Sequence, residues 1–171
     1  MPASRQDLFD RFVKLNIVTQ THDHAPVFTV EEARALRGQI PGGHCKNLFL
    51  KDEKGAIWLI VCLEDARIDL KTLPQKIGSR RLTFGKPDLL MEVLGLEPGS
   101  VTPFGLINDR GQRATVILDA EMMAQSQLNY HPLKNDATTT ISPPDLIAFI
   151  ASCGHAPRTV AVATPLQSPA A

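Results

Sequence analysis

The stretch His44-Cys45-Lys46-Asn47-Leu48-Phe49-Leu50-Lys51-Asp52 has the pattern of a buried strand, yet it carries a lysine among leucines. Period-two alternation places Lys46 on one strand face with Leu48 and Leu50. It turns the other side chains to the opposite face, namely Cys45, Asn47, Phe49 and Lys51. An amine on a mainly apolar face is costly unless it is paired, lines a polar cavity or reaches water along its stem. The pattern therefore predicts either a snorkelling lysine or a lysine with a function.

The residues that follow this strand predict its partner. Asp52-Glu53-Lys54-Gly55 supplies hairpin turn residues, and residues 57–63 form an unbroken apolar run that is typical of a central strand. A second hairpin is predicted where Asn108-Asp109-Arg110-Gly111 joins residues 104–107 to residues 115–118. Hairpins are antiparallel, which argues against a purely parallel sheet. The prediction is an α/β (α+β) single domain with a mixed, largely antiparallel curved β-sheet flanked by helices.

The remaining elements are predicted from apolar spacing and from start and stop residues. Predicted helices cover residues 4–15, 30–37 with Thr29 as N-cap and Gly38 as stop, 70–77, 87–94 and 143–150, with a helical turn over 119–124. Further strands are predicted over residues 17–21, 80–84, 128–131 and 159–162.

Composition limits the classes of protein to consider. A chain of 171 residues with 43% hydrophobic residues can bury one sizeable core. Lysines and arginines balance aspartates and glutamates at 18 each, so any RNA contact has to be local. The three cysteines lack C-x-x-C spacing, which predicts reduced thiols. No apolar run approaches the ~20 residues of a membrane span and no signal-peptide core is present, so a cytoplasmic location without a membrane partner is expected.

The common hydrolase motifs are missing from the sequence. No G-x-S-x-G elbow, H-E-x-x-H or P-loop occurs, which argues against a serine nucleophile, a zinc hydrolase and a nucleotide hydrolase. His22 and His24 could share a strand face, but without a third ligand they are interpreted as surface polar groups. Cys45 is interpreted as a buried structural thiol, because adjacent Lys46 points to the other face. No metal or other cofactor is predicted.

Four stretches, in this order along the chain, resemble one known family. They are Lys46-Asn47-Leu48-Phe49-Leu50-Lys51-Asp52, Arg80-Arg81-Leu82-Thr83-Phe84, the G-x-x-x-P loop Gly99-Ser100-Val101-Thr102-Pro103, and the segment that begins Asn129-Tyr130-His131-Pro132 and ends with the turn before Thr139. They resemble the prolyl-tRNA editing domain family (YbaK/ProRS-associated). The resemblance spans residues 1–163 and implies the same fold, with residues 164–171 as a disordered tail.

Within that family, the chain looks most like the free-standing alanyl-tRNA(Pro) deacylases. The resemblance implies a trans-editing hydrolase that cleaves the ester of tRNA(Pro) mischarged with alanine and so maintains translational fidelity. Cysteinyl-tRNA(Pro) is the alternative substrate, and a catalytically silent tRNA-binding module is the alternative function. The implied partners are tRNA(Pro) and, transiently, prolyl-tRNA synthetase. A monomer is expected.

The resemblance also implies roles for individual residues. Lys46 is expected to orient the tRNA end and to stabilise negative charge on the ester, as the catalytic residue. Asn47 receives a supporting role, because it points to the opposite strand face. Expected substrate-binding residues are Asn47, Gly99, Ser100, Val101, Thr102, Pro103 and His131, although His131 could equally be structural. Expected tRNA-binding residues are Lys51, Arg80 and Arg81.

Overall fold

The computed structural model describes residues 1–26 and 30–164. The predicted N-cap Thr29 and residues 165–171 of the predicted tail lie outside the described residues. Among the residues described, no helix has the length and apolar character needed to cross a membrane. In chain order the elements are α1 (Arg5–Lys14), β1 (Gln20–Asp23), α2 (Val30–Gln39), β2 (Gly43–Asp52), β3 (Ile57–Leu63), α3 (Leu73–Ile77), β4 (Leu82–Phe84), α4 (Pro87–Leu94), a 3-10 helix (Pro103–Asn108), β5 (Ala114–Asp119), α5 (Ala120–Met123), β6 (Leu128–Tyr130), β7 (Ala137–Ile141), α6 (Pro143–Ser152) and β8 (Arg158–Val160).

Strand β2 lies in the middle of the sheet and has three neighbours. It pairs antiparallel with β3 and β4, and its first residues pair parallel with β6. The strand order is β1-β7-β6-β2-β3-β5-β8, with β4 as an additional neighbour of β2. The pairs β1–β7 and β6–β7 are antiparallel, whereas β3–β5 and β5–β8 are parallel. The prediction of a mixed sheet flanked by helices is confirmed.

The alternation predicted for β2 is confirmed, because the two faces of the strand contribute side chains to two different hydrophobic cores. Phe49 belongs to a first core, in which the rings of Phe12, Phe104 and Phe149 lie 5.2 to 5.5 Å apart between centroids. Leu50 belongs to a second core on the opposite face, under helix α3. Burial of each such side chain stabilises the fold by about 1.5–3 kcal/mol.

The predicted β2–β3 hairpin is confirmed, and Asp52 holds its turn together. One carboxylate oxygen of Asp52 accepts hydrogen bonds from the backbone N–H groups of Lys54 and Ala56, both at 3.0 Å. The other accepts from the indole of Trp58 and from the backbone of Arg80, both at 3.3 Å. Burial alone would raise the pKa of Asp52, but these bonds outweigh it and hold the pKa below its usual value. The hairpin turn and the segment before β4 therefore share one buried carboxylate.

The prediction of a second hairpin over residues 104–118 is wrong. Pro103 begins a 3-10 helix instead, and the Thr102 hydroxyl accepts a hydrogen bond from the N–H of Phe104. Gly105 is packed so closely that an added Cβ would lie 2.6 Å from Leu96. The following strand, β5, pairs parallel with β3. The apolar residues that suggested a strand are buried, but they are buried as a tight helical turn.

Several predicted boundaries also need correction. Helix α2 continues through Gly38, and Pro41 explains its end because residues before a proline disfavour helical geometry. The helix predicted over 70–77 begins only at Leu73, and the strands predicted over 17–21 and 80–84 begin at Gln20 and Leu82. Strand β7, which was not predicted, begins at Ala137 inside the predicted turn and runs to Ile141. Helices α1, α4 and α6, strand β3 and the short helix α5 agree with prediction within about two residues.

Candidate active site

Three segments that are distant in sequence surround a cavity of about 250 Å³. They are the first half of β2, the G-x-x-x-P loop at residues 99–103, and the end of β6. The lining residues are Cys45, Lys46, Asn47, Gly99, Val101, Tyr130 and His131. The structure therefore brings together residues from three of the four stretches that carry the family resemblance.

Asn47 is the strand residue whose side chain reaches the loop. Its Nδ2 donates a hydrogen bond of 3.1 Å to the backbone carbonyl of Val101. Because a carbonyl can only accept, this contact fixes the orientation of the amide. Its Oδ1 is buried and has no hydrogen-bond partner. Asn47 was expected to have only a supporting role, because it lies on the strand face opposite to Lys46. That face is the one that meets the loop.

The loop itself is held by a turn on one side and a helix on the other. Gly99 has φ +87°, a conformation that favours glycine, and no protein atom lies within 4 Å of the place where a Cβ would be. The backbone N–H of Ser100 donates to Glu97, and Thr102 and Pro103 are buried where the 3-10 helix begins. Gly99 therefore offers open backbone, while the rest of the loop is anchored.

His131 follows β6 and is held in one tautomer. Its Nδ1 lies 3.0 Å from the carbonyl oxygen of Ala137, so Nδ1 carries the hydrogen and Nε2 has a lone pair when the ring is neutral. Burial lowers the pKa of His131, the bond to Ala137 opposes this, and nearby His24 lowers it further. The ring of His24 lies edge-on at 6.5 Å between centroids, and its Nε2 contacts Thr138 at 2.8 Å.

Only one of the two histidines near the start of the chain fits the interpretation as a surface polar group. His22 is exposed, but His24 is half-buried and in contact with His131. Sequence reasoning missed this, because the pairing of β1 with β7 joins segments more than 100 residues apart. Within residues 1–26 and 30–164, no group of three or more His, Cys, Asp or Glu side chains is placed to hold one metal ion.

Cys45 and Tyr130 line the cavity without having been predicted as site residues. Burial raises the pKa of the Cys45 thiol to about 12. Burial also raises the pKa of Tyr130, whose hydroxyl lies 3.2 Å from the sulfur of Met122. Cys45 thus agrees with its interpretation as a structural thiol. Tyr130 could have been found from its place next to His131 in the family-like segment.

Lys46 lies at the border between two cavities. It lines the 250 Å³ cavity, while its amine donates a hydrogen bond to the carbonyl of Ala66 on the segment after β3. That segment also borders a second cavity of about 690 Å³, together with Asp119 at the end of β5. The Oδ1 of Asp119 accepts from the N–H of Val162, whereas its Oδ2 is buried without a partner. The predicted amine is therefore paired, and it does not extend freely into solvent.

The three predicted tRNA-binding residues lie at the other end of β2. Lys51 is four residues from Asn47, which places it about 13 Å away along the strand. It pairs with Thr83 of β4, and it is exposed, as are Arg80 and Arg81. The structure groups these cations with each other and keeps them outside the cavity.

Comparison with known proteins identifies relatives over nearly the whole chain. The aminoacyl-tRNA editing domain family matches residues 24–149. Prolyl-tRNA editing protein ProX of Acetoanaerobium sticklandii is 36% identical over 153 residues, which cover 89% of this chain and 93% of that protein. Prolyl-tRNA synthetase associated domain-containing protein 1 of Danio rerio is 35% identical over 155 residues, which cover 90% and 84%.

A solved structure supports the fold. It is described provisionally as a trans-editing enzyme for prolyl-tRNA synthetase, and it superimposes with a TM-score of 0.67 at 19% identity, covering 94% of this chain and 98% of that one. At this identity the likeness shows the fold alone. The family match and the two relatives confirm the resemblance, and with it the prediction of an aminoacyl-tRNA hydrolase. The chain belongs to the aminoacyl-tRNA editing domain family.

Proposed function

We propose that this protein hydrolyses, in trans, the ester bond of tRNA(Pro) that has been mischarged with alanine. The observation that carries the proposal is the small cavity between Asn47, the 99–103 loop and His131. The ProX relative is named a prolyl-tRNA editing protein, and its likeness covers 89% of this chain, including all three segments that form the cavity.

Hydrolysis of an aminoacyl ester requires few catalytic groups from the protein. An aminoacyl ester is already activated, so the site has to hold the carbonyl, admit a water and exclude the correct amino acid. Backbone at Gly99 is open to a substrate, since no protein atom fills the space beside its Cα. No nucleophilic side chain is required for this reaction.

Selection of alanine over proline follows from size. A pocket that fits alanine excludes the proline ring by steric clash, which a synthetase pocket built for proline cannot do in reverse. Cysteine is only slightly larger than alanine, so cysteinyl-tRNA(Pro) is the competing substrate.

The first experiment is hydrolysis of alanyl-, cysteinyl- and prolyl-tRNA(Pro) by the purified protein. We expect rapid loss of alanine and retention of proline. Faster release of cysteine than of alanine would identify cysteinyl-tRNA(Pro) as the substrate. Hydrolysis of none of the three would favour a silent tRNA-binding module. Uncatalysed hydrolysis of each ester is measured in parallel.

Recognition of tRNA is assigned to the exposed cations at the far end of β2. We predict that Lys51→Ala and Arg81→Ala each raise the KM for alanyl-tRNA(Pro) several-fold and weaken its dependence on salt, because each removes about one phosphate contact. Hydrolysis of alanyl ester on a CCA trinucleotide should be unchanged. Lys14→Ala, an exposed lysine on α1, is the matched control. Equal losses on both substrates would contradict this division of roles.

The assembly and location of the protein are part of the same proposal. We place it in the cytoplasm as a monomer that meets tRNA(Pro) and, transiently, prolyl-tRNA synthetase. Sedimentation of the pure protein, alone and with the synthetase, tests both the monomer and the transient contact.

A further inference from the structure

One aromatic ring on β4 is left uncovered by the fold. Of the phenylalanine, tyrosine and tryptophan side chains in residues 1–26 and 30–164, only Phe84 is exposed, at 62%. Leu82, two residues earlier on the same face of β4, is buried in the second core. Single exposed apolar side chains are common on protein surfaces, so the meaning of this one depends on its surroundings.

The surroundings of Phe84 are basic. Four exposed cations lie on the partner strand β2 or within two residues of β4, namely Lys51, Arg80, Arg81 and Lys86. Within the described part of the chain, none of the four is in a salt bridge. The exposed carboxylates next to them in the chain are Glu53 and Asp88. Cations around an exposed aromatic ring are typical of surfaces that bind single-stranded nucleic acid.

The register of the sheet places the ring between these cations and the cavity. Phe84 pairs with Leu50, and Lys51 pairs with Thr83. Along β2, Lys51 is followed by the level of the ring and then by Asn47 in the cavity wall, about 10 Å from Leu50. A strand with stacked bases advances about 3.4 Å per nucleotide, so the ring lies about three nucleotides from an ester bound in the cavity. A tRNA whose phosphates contact the cations passes the ring before its end reaches the cavity.

The backbone that carries Phe84 is fixed at both ends of β4. The carbonyl of Arg81 accepts a hydrogen bond of 3.0 Å from the N–H of Glu53, and the N–H of Gly85 donates one of 2.9 Å to the carbonyl of Phe49. A Cβ on residue 85 would collide with the ring of Phe49, so the chain is pressed against the first core there. A side chain on a fixed backbone loses little conformational freedom on binding, which favours its use as a contact.

We propose that Phe84 stacks on an unpaired base near the 3′ end of the tRNA, an inference that rests on the deacylase function proposed above. Alternation puts Phe84 on the strand face of Lys46 and Thr83 on that of Lys51, and β4 pairs with β2 alone. Across this edge, one nucleotide can set its phosphate against the cations and its base against the ring. Stacking uses the π-face that every base has, so the contact raises affinity without selecting the base.

The test is binding of uncharged tRNA(Pro), which needs no catalysis. Phe84→Ala should raise the Kd at least about fivefold, as expected for the loss of one stacked base. Phe84→Leu should do the same, because leucine is apolar but cannot stack. Phe84→Trp should bind at least as tightly as the wild type, and its added fluorescence should fall when a base covers the indole. The wild type, whose Trp58 is buried, supplies the fluorescence background.

Salt and chain length distinguish stacking from phosphate binding. The dependence of Kd on salt should stay at the wild-type value in Phe84→Ala, whereas Lys51→Ala should reduce it. Hydrolysis of alanyl-adenosine should be unchanged in Phe84→Ala, and a raised KM should appear once a 3′-terminal oligonucleotide reaches about four nucleotides. Met91→Ala, an exposed apolar residue of α4, is the matched control and should change none of these quantities.

The outcomes separate this inference from the function on which it rests. A wild type that binds tRNA(Pro) but hydrolyses none of the aminoacyl-tRNAs refutes the deacylase and leaves the binding test of Phe84 in force. A wild type that binds no tRNA overturns both. An unchanged Kd in Phe84→Ala, or wild-type binding by Phe84→Leu, overturns the stacking.

Two further results would count against the ring as an RNA contact. If Phe84→Ala weakens binding to prolyl-tRNA synthetase while RNA binding is unchanged, the ring belongs to a protein contact instead. If the alanine variant does not fold, Phe84→Trp still decides, because an indole fluorescence that tRNA(Pro) leaves unchanged contradicts stacking.

Discussion

Lys46→Ala is expected to lower hydrolysis of alanyl-tRNA(Pro) at least about tenfold while the protein stays folded. Lys46 lines the cavity through its place on β2, and its amine is held by the carbonyl of Ala66 on the opposite strand face. The prediction requires the amine to turn from Ala66 towards the bound tRNA end, where it would stabilise charge on the ester or the terminal phosphate. The loss should therefore appear in kcat.

Two controls decide how the loss is read. Lys46→Met keeps most of the aliphatic stem and removes the charge, so it should match Lys46→Ala in activity and remain closer to the wild type in stability. Lys54→Ala, an exposed lysine in the hairpin turn, should change neither. Full activity of the two Lys46 variants would remove this lysine from the mechanism. Urea denaturation of every variant supplies the stability comparison.

Asp109→Ala is expected to destabilise the fold by about 3–5 kcal/mol. The carboxylate is 2% exposed, and it accepts hydrogen bonds from the backbone of Arg113 at 3.0 Å, the backbone of Ala114 at 2.9 Å and the Nε2 of His155 at 2.9 Å. Removing it leaves several buried donors unsatisfied at the start of β5. The measurement is the free energy of unfolding in urea.

The pH dependence of this contribution has a definite sign. Burial alone would raise the pKa of Asp109, but the bonds from His155 and the backbone outweigh burial and hold its pKa below the usual value. A carboxyl with a depressed folded-state pKa stabilises the fold above its unfolded pKa of about 3.9, and that stability is lost as pH falls through the folded pKa. The difference between wild type and Asp109→Ala should therefore shrink below about pH 4.

A surface carboxylate provides the matched control for Asp109. Asp88→Ala, in the exposed first turn of α4, should cost less than about 1 kcal/mol, since its main contribution is to the helix dipole. A similar cost for Asp88→Ala and Asp109→Ala would show that the buried bonds at the start of β5 add little to stability.

The β2–β3 hairpin could be predicted from sequence because each signal in it is local. Alternation assigned Phe49 and Leu50 to opposite faces, and the turn chemistry of Asp52 to Gly55 joined the two strands. The same reasoning wrongly predicted a strand at residues 104–107, because a short apolar run does not distinguish a strand from a buried 3-10 turn. The deciding contact there is the close packing of Gly105 on Leu96, which strand periodicity does not encode.

The candidate site was predicted in its parts and missed in its arrangement. The resemblance named Asn47, the 99–103 loop and His131, and the structure joins them around one cavity. The resemblance could not show that Asn47 bonds to Val101, or that His24 lies against His131, because both contacts depend on how distant segments pack. Alternation correctly separated Lys46 from Asn47, but it could not say which face meets the loop.

The protonated thiol in the cavity wall makes this cavity a poor target for covalent chemistry. Burial raises the pKa of the Cys45 thiol to about 12, so the thiol stays protonated at pH 7. Electrophiles and peroxides react with the thiolate form, so alkylating reagents and oxidative stress should leave this wall intact. Proofreading of tRNA would then continue under conditions that inactivate enzymes built around an activated cysteine.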